Sequence, residues 1–122
     1  MKTLEKKVAL GMTGMTVPAV AVGCMRLSEL STQEMNHFIH VAVESGTNFF
    51  DHADIYGGGK SEELFGGALS GDHSLKRGDL ILQSKCGIRK GYYDSSKQHI
   101  IASVDGILKR LQTEYLLSLI HI

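Results

Sequence analysis

The sequence predicts an α/β fold, the N-terminal part of a (β/α)8 TIM barrel with three to four βα units behind a capping hairpin. Strand-like and helix-like segments alternate along the 122 residues, which is typical of a parallel sheet with helices outside it. An open doubly wound sheet is the alternative, but the first crossover lacks the GxGxxG fingerprint. A complete barrel needs about 250 residues, so the chain would supply about half of one.

Short apolar runs predict the strands of this sheet. They lie at residues 17–23, 47–51 and 79–85, and a fourth begins near Tyr115. A small hairpin is predicted ahead of them from residues 7–10 and 15–17, because these runs flank the glycines of the intervening turn.

Helices are predicted between the strands from apolar residues at helical spacing. Side-chain oxygens that can accept a hydrogen bond from the first turn mark where each helix begins. The expected N-caps are Ser31, in a capping box with Glu34, then Ser61 before residues 62–69, and either Ser95 or Ser96.

Composition argues against several classes of function. Lys and Arg total 13, and so do Asp and Glu, so charge-driven binding to nucleic acid or a membrane surface is not expected. Cys24 and Cys86 belong to no CxxC pattern, which indicates reduced thiols. We find no apolar stretch typical of a signal peptide or a membrane span, and a cytoplasmic location is the default expectation.

Three side chains that can move protons fall at or just past the ends of two predicted strands: Asp51, Tyr56 and Lys85. Neighbouring strands lie about 4.8 Å apart, so the Asp and the Lys can meet. A Lys ammonium near a Tyr hydroxyl stabilises the phenolate, and an Asp keeps the Lys charged. Such a Tyr can act as general acid when hydride reaches a carbonyl carbon. A surface Tyr beside a structural Asp–Lys pair explains the spacing equally well.

Other motifs give weaker hypotheses. The GKS at residues 59–61 resembles the end of a P-loop, but Asp54 stands where that motif needs a glycine. Residues 57–59 fit better as the flexible loop that carries the tyrosine toward the site. A metal site at Asp51 and His52 is not expected, because alternation along a strand turns them to opposite faces.

The stretch GTNFFDHADIYGGGKSEELFGGAL, followed by SKCGI, resembles the signature of the aldo-keto reductase family, and the resemblance covers residues 8–116. That family is an NADP(H)-dependent (β/α) barrel with a catalytic tetrad of Asp, Tyr, Lys and His. The resemblance implies that Asp51, Tyr56 and Lys85 are the first three members.

The segment VPAVAVGCMRL is similar to the family's first strand and the loop after it. This implies that Gly23, Cys24 and Met25 approach the nicotinamide and the substrate, with Asp51 as a further cofactor contact. The implied function is NADPH-dependent reduction of an aldehyde or ketone, a small-molecule carbonyl substrate, to an alcohol. A non-catalytic, nucleotide-binding accessory subunit of the same fold is the alternative, and the oligomeric state stays open.

The fourth tetrad member has no counterpart in register. His121 lies one residue too early, and a slip of one residue points a side chain to the opposite face. LSLIHI, residues 117–122, is what CTG TCT CTT ATA CAC ATC encodes, a transposase end sequence used in library adapters.

We therefore expect residues 1–116 to be an incomplete barrel domain and residues 117–122 a non-native tail. A native variant strand is the alternative, and resequencing the source DNA past the codon for Leu116 distinguishes the two. The 122-residue chain by itself is expected to be inactive, since the family's contacts to the adenosine phosphate come from later strands.

Overall fold

The structure, a computed structural model, describes residues 6–121. In chain order its strands and α-helices are β1 (Lys7–Ala9), β2 (Thr16–Pro18), β3 (Val22–Gly23), α1 (Thr32–Glu44), β4 (Phe49–Asp51), α2 (Lys60–Ser70), β5 (Ile81–Cys86), β6 (Ile88–Arg89), β7 (Tyr92–Tyr93), α3 (Lys97–Leu111) and β8 (Ser118–His121). No helix within this described range is long and apolar enough to cross a membrane.

The centre of the fold is a parallel sheet in the order β3-β4-β5-β8, all of whose described neighbours run in the same direction. Each step across the sheet is joined by one of the helices α1, α2 and α3. This β-α-β succession is the arrangement of a partial (β/α) barrel, as the alternation of segments predicts. The antiparallel β1–β2 hairpin precedes the sheet, also as predicted.

The hydrophobic core lies between the sheet and its helices. Phe50 of β4 and Leu82 of β5 are partners in register and both are fully buried. The ring of Phe50 packs 5.1 Å from that of Phe65 on α2, while Ile39 and Ile107 bring α1 and α3 into the same cluster. Every second residue of β5 is buried on this side, so the alternate residues, including Lys85, face the interior of the barrel.

Helix α1 begins as its sequence predicts. The Ser31 hydroxyl accepts a hydrogen bond from the Glu34 backbone N–H at 3.1 Å, and the Glu34 carboxylate accepts one from the Ser31 N–H at 3.0 Å. The cap of α3 is Ser96, whose hydroxyl accepts from the His99 N–H. Local capping chemistry therefore fixes both starts.

The expected cap of α2 is wrong. Helix α2 begins at Lys60, and its N-cap is Gly59 with φ +98° rather than Ser61. The Ser61 hydroxyl is buried and donates instead to the Cys24 carbonyl at 2.7 Å. The Ser61 hydroxyl, which could cap an isolated helix, is therefore bound to the backbone of the loop after β3.

All four strands of the parallel sheet begin at least two residues later than predicted. The run at residues 17–23 divides, because Val17 and Pro18 pair in the hairpin and only β3 joins the parallel sheet. The last strand begins at Ser118 rather than near Tyr115. The Tyr115 carbonyl accepts a hydrogen bond from Arg77, whose guanidinium also lies over the Tyr115 ring. The β6–β7 hairpin, which begins two residues after the end of β5, was not predicted from the sequence.

Candidate active site

The ion pair of Asp51 and Lys85 joins the ends of two neighbouring strands. The Lys85 Nζ donates to Asp51 Oδ1 at 2.7 Å and to the His52 backbone carbonyl at 2.9 Å. The Asp51 side chain is 27% exposed and the Lys85 side chain is 14% exposed. The ammonium is thus held from two sides at the carboxyl ends of β4 and β5, where the sequence predicts that the two residues meet.

Tyr56 reaches the same place from a glycine turn. It opens a 3-10 turn, Tyr56–Gly59, in which Gly57 and Gly58 have φ of +60° and +67°. A Cβ on Gly57 would lie 2.6 Å from the Ser28 side chain, so both its conformation and its surroundings favour glycine. The turn leaves the centre of the Tyr56 ring 5.0 Å from Lys85 Nζ.

Opposing effects set the protonation of Lys85. Burial is the largest and by itself lowers the pKa of the ammonium. Hydrogen bonding and charge interactions with Asp51 and Tyr56 outweigh it, and the net pKa of Lys85 is raised above its usual value. Lys85 therefore carries its positive charge at neutral pH, next to the phenol.

A cleft of about 230 Å³ opens beside this group. The phenol of Tyr56 and the ammonium of Lys85 are set among mainly apolar side chains, a combination typical of small-molecule sites. The lining residues are Met25, Ala53, Asp54, Ile55, Tyr56, Lys85, Cys86 and Ile88.

The last residue of β3 and the two residues after it occupy different environments. Gly23 is the partner of Asp51 in register, and a Cβ built on it would meet nothing within 4 Å. Met25 is 55% exposed and borders the cleft. Cys24 is fully buried, and burial, with a smaller effect of the Asp51 charge, raises the pKa of its thiol to about 12. Its backbone is enclosed as well, since the Cys24 N–H donates to the Asp51 carbonyl and the Cys24 carbonyl accepts from Ser61, so Cys24 offers no open group to a ligand in this structure.

His52 lies on the helix side of the sheet, opposite to Asp51. It is fully buried, with its ring edge-on to Phe65 at 4.4 Å. Burial lowers the pKa of its imidazole to about 3. Neither ring nitrogen has a hydrogen-bond partner among residues 6–121, and within that range no group of three His, Cys, Asp or Glu could hold a metal ion.

Gln83 is a site residue that the sequence analysis missed. Its Nε2 donates to Asp51 Oδ1 at 2.8 Å, the same oxygen that Lys85 binds. A signal was available, because Gln83 precedes Lys85 by two residues in a strand and must share its face.

A buried network behind the strands was also missed. Both Glu62 oxygens are used: the Ser84 hydroxyl donates to Oε2 at 2.8 Å, and Arg110 Nε donates to Oε1 at 2.9 Å. Glu62 is fully buried, and burial, the largest effect, raises the pKa of its carboxyl. The Arg110 side chain also packs under the tyrosine turn, 3.1 Å from where a Cβ on Gly59 would stand. Local sequence carried no signal for these partners, which come from α2, β5 and α3.

The register of β8 settles where His121 points. Ile120 is the partner of Lys85, and His121 is the partner of Cys86. Cys86 is buried, and as the next residue along β5 it belongs to the opposite face of the strand from Lys85. His121 therefore belongs to the opposite face from Asp51 and Lys85, in agreement with the expected slip of one residue.

Comparison with known proteins bears on this arrangement. The model of the Aldo/keto reductase family matches residues 19–122. The chain belongs to the aldo/keto reductase family. The structure of aldo-keto reductase AKR11C1 from Bacillus halodurans (holo form) superimposes with a TM-score of 0.80 and 34% identity, over 95% of this chain and 40% of that one.

Curated relatives of this chain have names of two kinds, an oxidoreductase and a channel subunit. "Uncharacterized oxidoreductase YcsN" of Bacillus subtilis (strain 168) is 41% identical in an alignment of 112 residues that covers 81% of this chain and 37% of YcsN. A "Probable voltage-gated potassium channel subunit beta" of Oryza sativa subsp. japonica is 30% identical over 87% of this chain and 34% of its own length. The chain thus spans less than half the length of these relatives.

Proposed function

We propose that the protein to which this chain belongs is an NADPH-dependent oxidoreductase that reduces an aldehyde or ketone to an alcohol. The observation that carries the proposal is the convergence of Asp51, Lys85 and Tyr56, with Lys85 Nζ 2.7 Å from the carboxylate and 5.0 Å from the ring centre. A charged ammonium beside a phenol at an apolar cleft suits proton donation to a carbonyl oxygen.

The residues beside Asp51 fit the nicotinamide end of a cofactor. Gly23 leaves open space next to the carboxylate, since a Cβ there would meet nothing within 4 Å. Met25 lines the adjoining cleft, and Gly23, Met25 and Asp51 would hold that end of NADPH, with the fully buried Cys24 supporting them from within. The cofactor, when bound, supplies the hydride that the carbonyl carbon receives.

The chain's own residues would manage the proton. The Tyr56 hydroxyl donates its proton to the carbonyl oxygen as that oxygen gains negative charge. The Lys85 ammonium then stabilises the phenolate, and Asp51 keeps the ammonium charged and in place. The apolar walls of the cleft limit the access of water, which strengthens these electrostatic interactions.

The proposal is tested by Tyr56→Phe in the complete protein, meaning the product of the full reading frame of the source DNA. We expect turnover of carbonyl substrates to fall by roughly 10²-fold or more, while NADPH binding, followed by fluorescence, is retained. Tyr93→Phe is the matched control, because Tyr93 is 74% exposed and is not among the residues that line the cleft. Retained turnover in Tyr56→Phe would refute the role of this residue.

A second candidate function is a nucleotide-binding accessory subunit without turnover. The similarity to the rice protein named as a channel β subunit is the observation that favours it. A panel of aldehydes and ketones, incubated with NADPH and the complete protein, separates the two. If NADPH binds but none of the aldehydes or ketones is reduced and the NADPH is not oxidised, the accessory role is favoured.

A further inference from the structure

We propose that Gln83 is a positioning residue that fixes the Asp51 carboxylate against Lys85 and thereby sets the acidity of Tyr56. This inference rests on the proposed function. Its basis is a shared acceptor: Asp51 Oδ1 receives Lys85 Nζ at 2.7 Å and Gln83 Nε2 at 2.8 Å.

The strand register explains why Gln83 can do this. Gln83 is the partner of Asp51 across the β4–β5 pair, so their side chains stand next to each other on one face. Lys85 follows two residues later on the same face. Gln83 and Lys85 thus approach Asp51 Oδ1 from two positions on the same face of β5. Gln83 lies beside Asp51, and Lys85 lies nearer the end of the strand.

The other neighbour of Asp51 offers no such contact. On the β3 side its partner in register is Gly23, where even an added Cβ would meet nothing within 4 Å. Without the Gln83 contact, Asp51 Oδ1 keeps only the Lys85 donor, and no side chain from Gly23 takes the place of the amide. The Gln83 amide therefore confines Asp51 to the orientation in which it binds the ammonium.

The neutrality of the amide matters as much as its position. Its N–H donates to the carboxylate without adding a charge, so Lys85 faces one negative partner and keeps a net positive field toward Tyr56. A carboxyl group in place of the amide could donate a hydrogen bond to Asp51 while protonated. Once ionised, it would repel Asp51 and disfavour the phenolate.

The first test replaces Gln83 by Met in the complete protein, which keeps side-chain length and removes the donor. We expect kcat to fall about tenfold, as for loss of one hydrogen bond to a charged group, with KM changed less than about twofold. The fall of the reduction rate at alkaline pH should move to higher pH, because an ammonium that Asp51 holds less firmly lies on average farther from the phenol and stabilises the phenolate less. Gln98→Met is the matched control, since Gln98 is exposed on α3, and it should leave both unchanged.

The second test uses Gln83→Glu, which preserves shape. Activity should approach that of the parent protein at acid pH, where the new carboxyl is protonated, and should fall as that group ionises. A role in packing alone would give no such pH-dependent rescue. Unchanged profiles in both Gln83 variants would overturn the inference.

A readout without turnover separates this inference from the proposed function. The phenolate absorbance of Tyr56, taken as the difference from Tyr56→Phe, is titrated in the absence of substrate. Both Gln83 substitutions should move its appearance to higher pH, and no movement would contradict the positioning role. If Tyr56→Phe keeps turnover, the proposed function fails, and this titration alone still decides whether Gln83 acts on Tyr56.

Discussion

At the scale of single residues, His52 shows how a titratable ring can lie beside the site without joining it. Its carbonyl helps to hold Lys85, while its imidazole turns into the core and packs against Phe65. The pKa of about 3 means that the folded protein keeps this ring neutral where the unfolded chain, near 6.5, binds a proton. A group of this kind weakens the fold progressively as pH falls below 6.5, and the full stability is present above it.

We predict that His52→Leu reduces the loss of stability on acidification. Between pH 7 and pH 5 the parent should lose about 2 kcal/mol more unfolding free energy than the variant, from the 1.5 pH units below the unfolded pKa. Urea unfolding of the complete protein at both pH values measures the difference. His37→Asn, at an exposed histidine of α1, should behave as the parent does, and an equal acid loss in His52→Leu would argue against the buried neutral ring.

Sequence reasoning at this scale succeeded where geometry follows from strand order. Asp51 and Lys85 end adjacent parallel strands, so their contact is a consequence of topology. It failed for Ser61 and Glu62, whose buried partners Cys24 and Ser84 lie on other elements. A side chain's choice among distant partners depends on packing, which the local sequence does not contain.

At the scale of elements, the close approach of α2 and α3 supports the turn that bears Tyr56. A Cβ on Gly66 would lie 2.3 Å from the Arg110 carbonyl oxygen and 2.6 Å from the Leu111 carbonyl carbon. The two helix backbones therefore meet at a position where a side chain does not fit. This contact brings Arg110 to Glu62 and to the turn.

We predict that Gly66→Ala destabilises the protein by about 2 kcal/mol or more, because α2 and α3 must separate to admit the methyl group. Gly67→Ala is the matched control in the next position of the same helix. Its Cβ would meet nothing within 4 Å, and replacing a helical glycine should stabilise by about 0.5–1 kcal/mol. Thermal unfolding of both variants tests the pair, and similar melting temperatures for the two would contradict the close contact.

The starts of α1 and α3 were predictable, whereas the start of α2 and the lengths of the strands were not. The capping box of α1 and the serine cap of α3 are local and can be read from the sequence. Strand length depends on the partner, which is why the run at residues 17–23 divides between a hairpin and the sheet. The β6–β7 hairpin could have been found from Gly91, which has φ +81° between two short extended pairs.

At the scale of the whole molecule, the described sheet ends at β8 with no further strand beside it within residues 6–121. Apolar side chains on and next to that edge are exposed, among them Leu117, Leu119 and Ile120 at about 40% each. An unpaired strand edge with apolar side chains favours pairing with another chain.

We predict that the 122-residue chain, expressed by itself, is insoluble or self-associates and does not bind NADPH measurably. Size-exclusion chromatography with light scattering gives the first result, and quenching of protein fluorescence by NADPH gives the second. A monodisperse monomer with a cooperative melt and cofactor quenching would overturn both.

Lys85 pairs with Ile120 and Cys86 pairs with His121. The face of β8 on which each side chain lies therefore depends on whether the connection between α3 and β8 has an odd or an even number of residues. One residue added ahead of His121 would exchange the two faces of the strand and bring an imidazole to the row that holds Lys85. Two added residues would restore the present order. For anyone rebuilding this segment, the number of residues in that connection, odd or even, matters more than their identity.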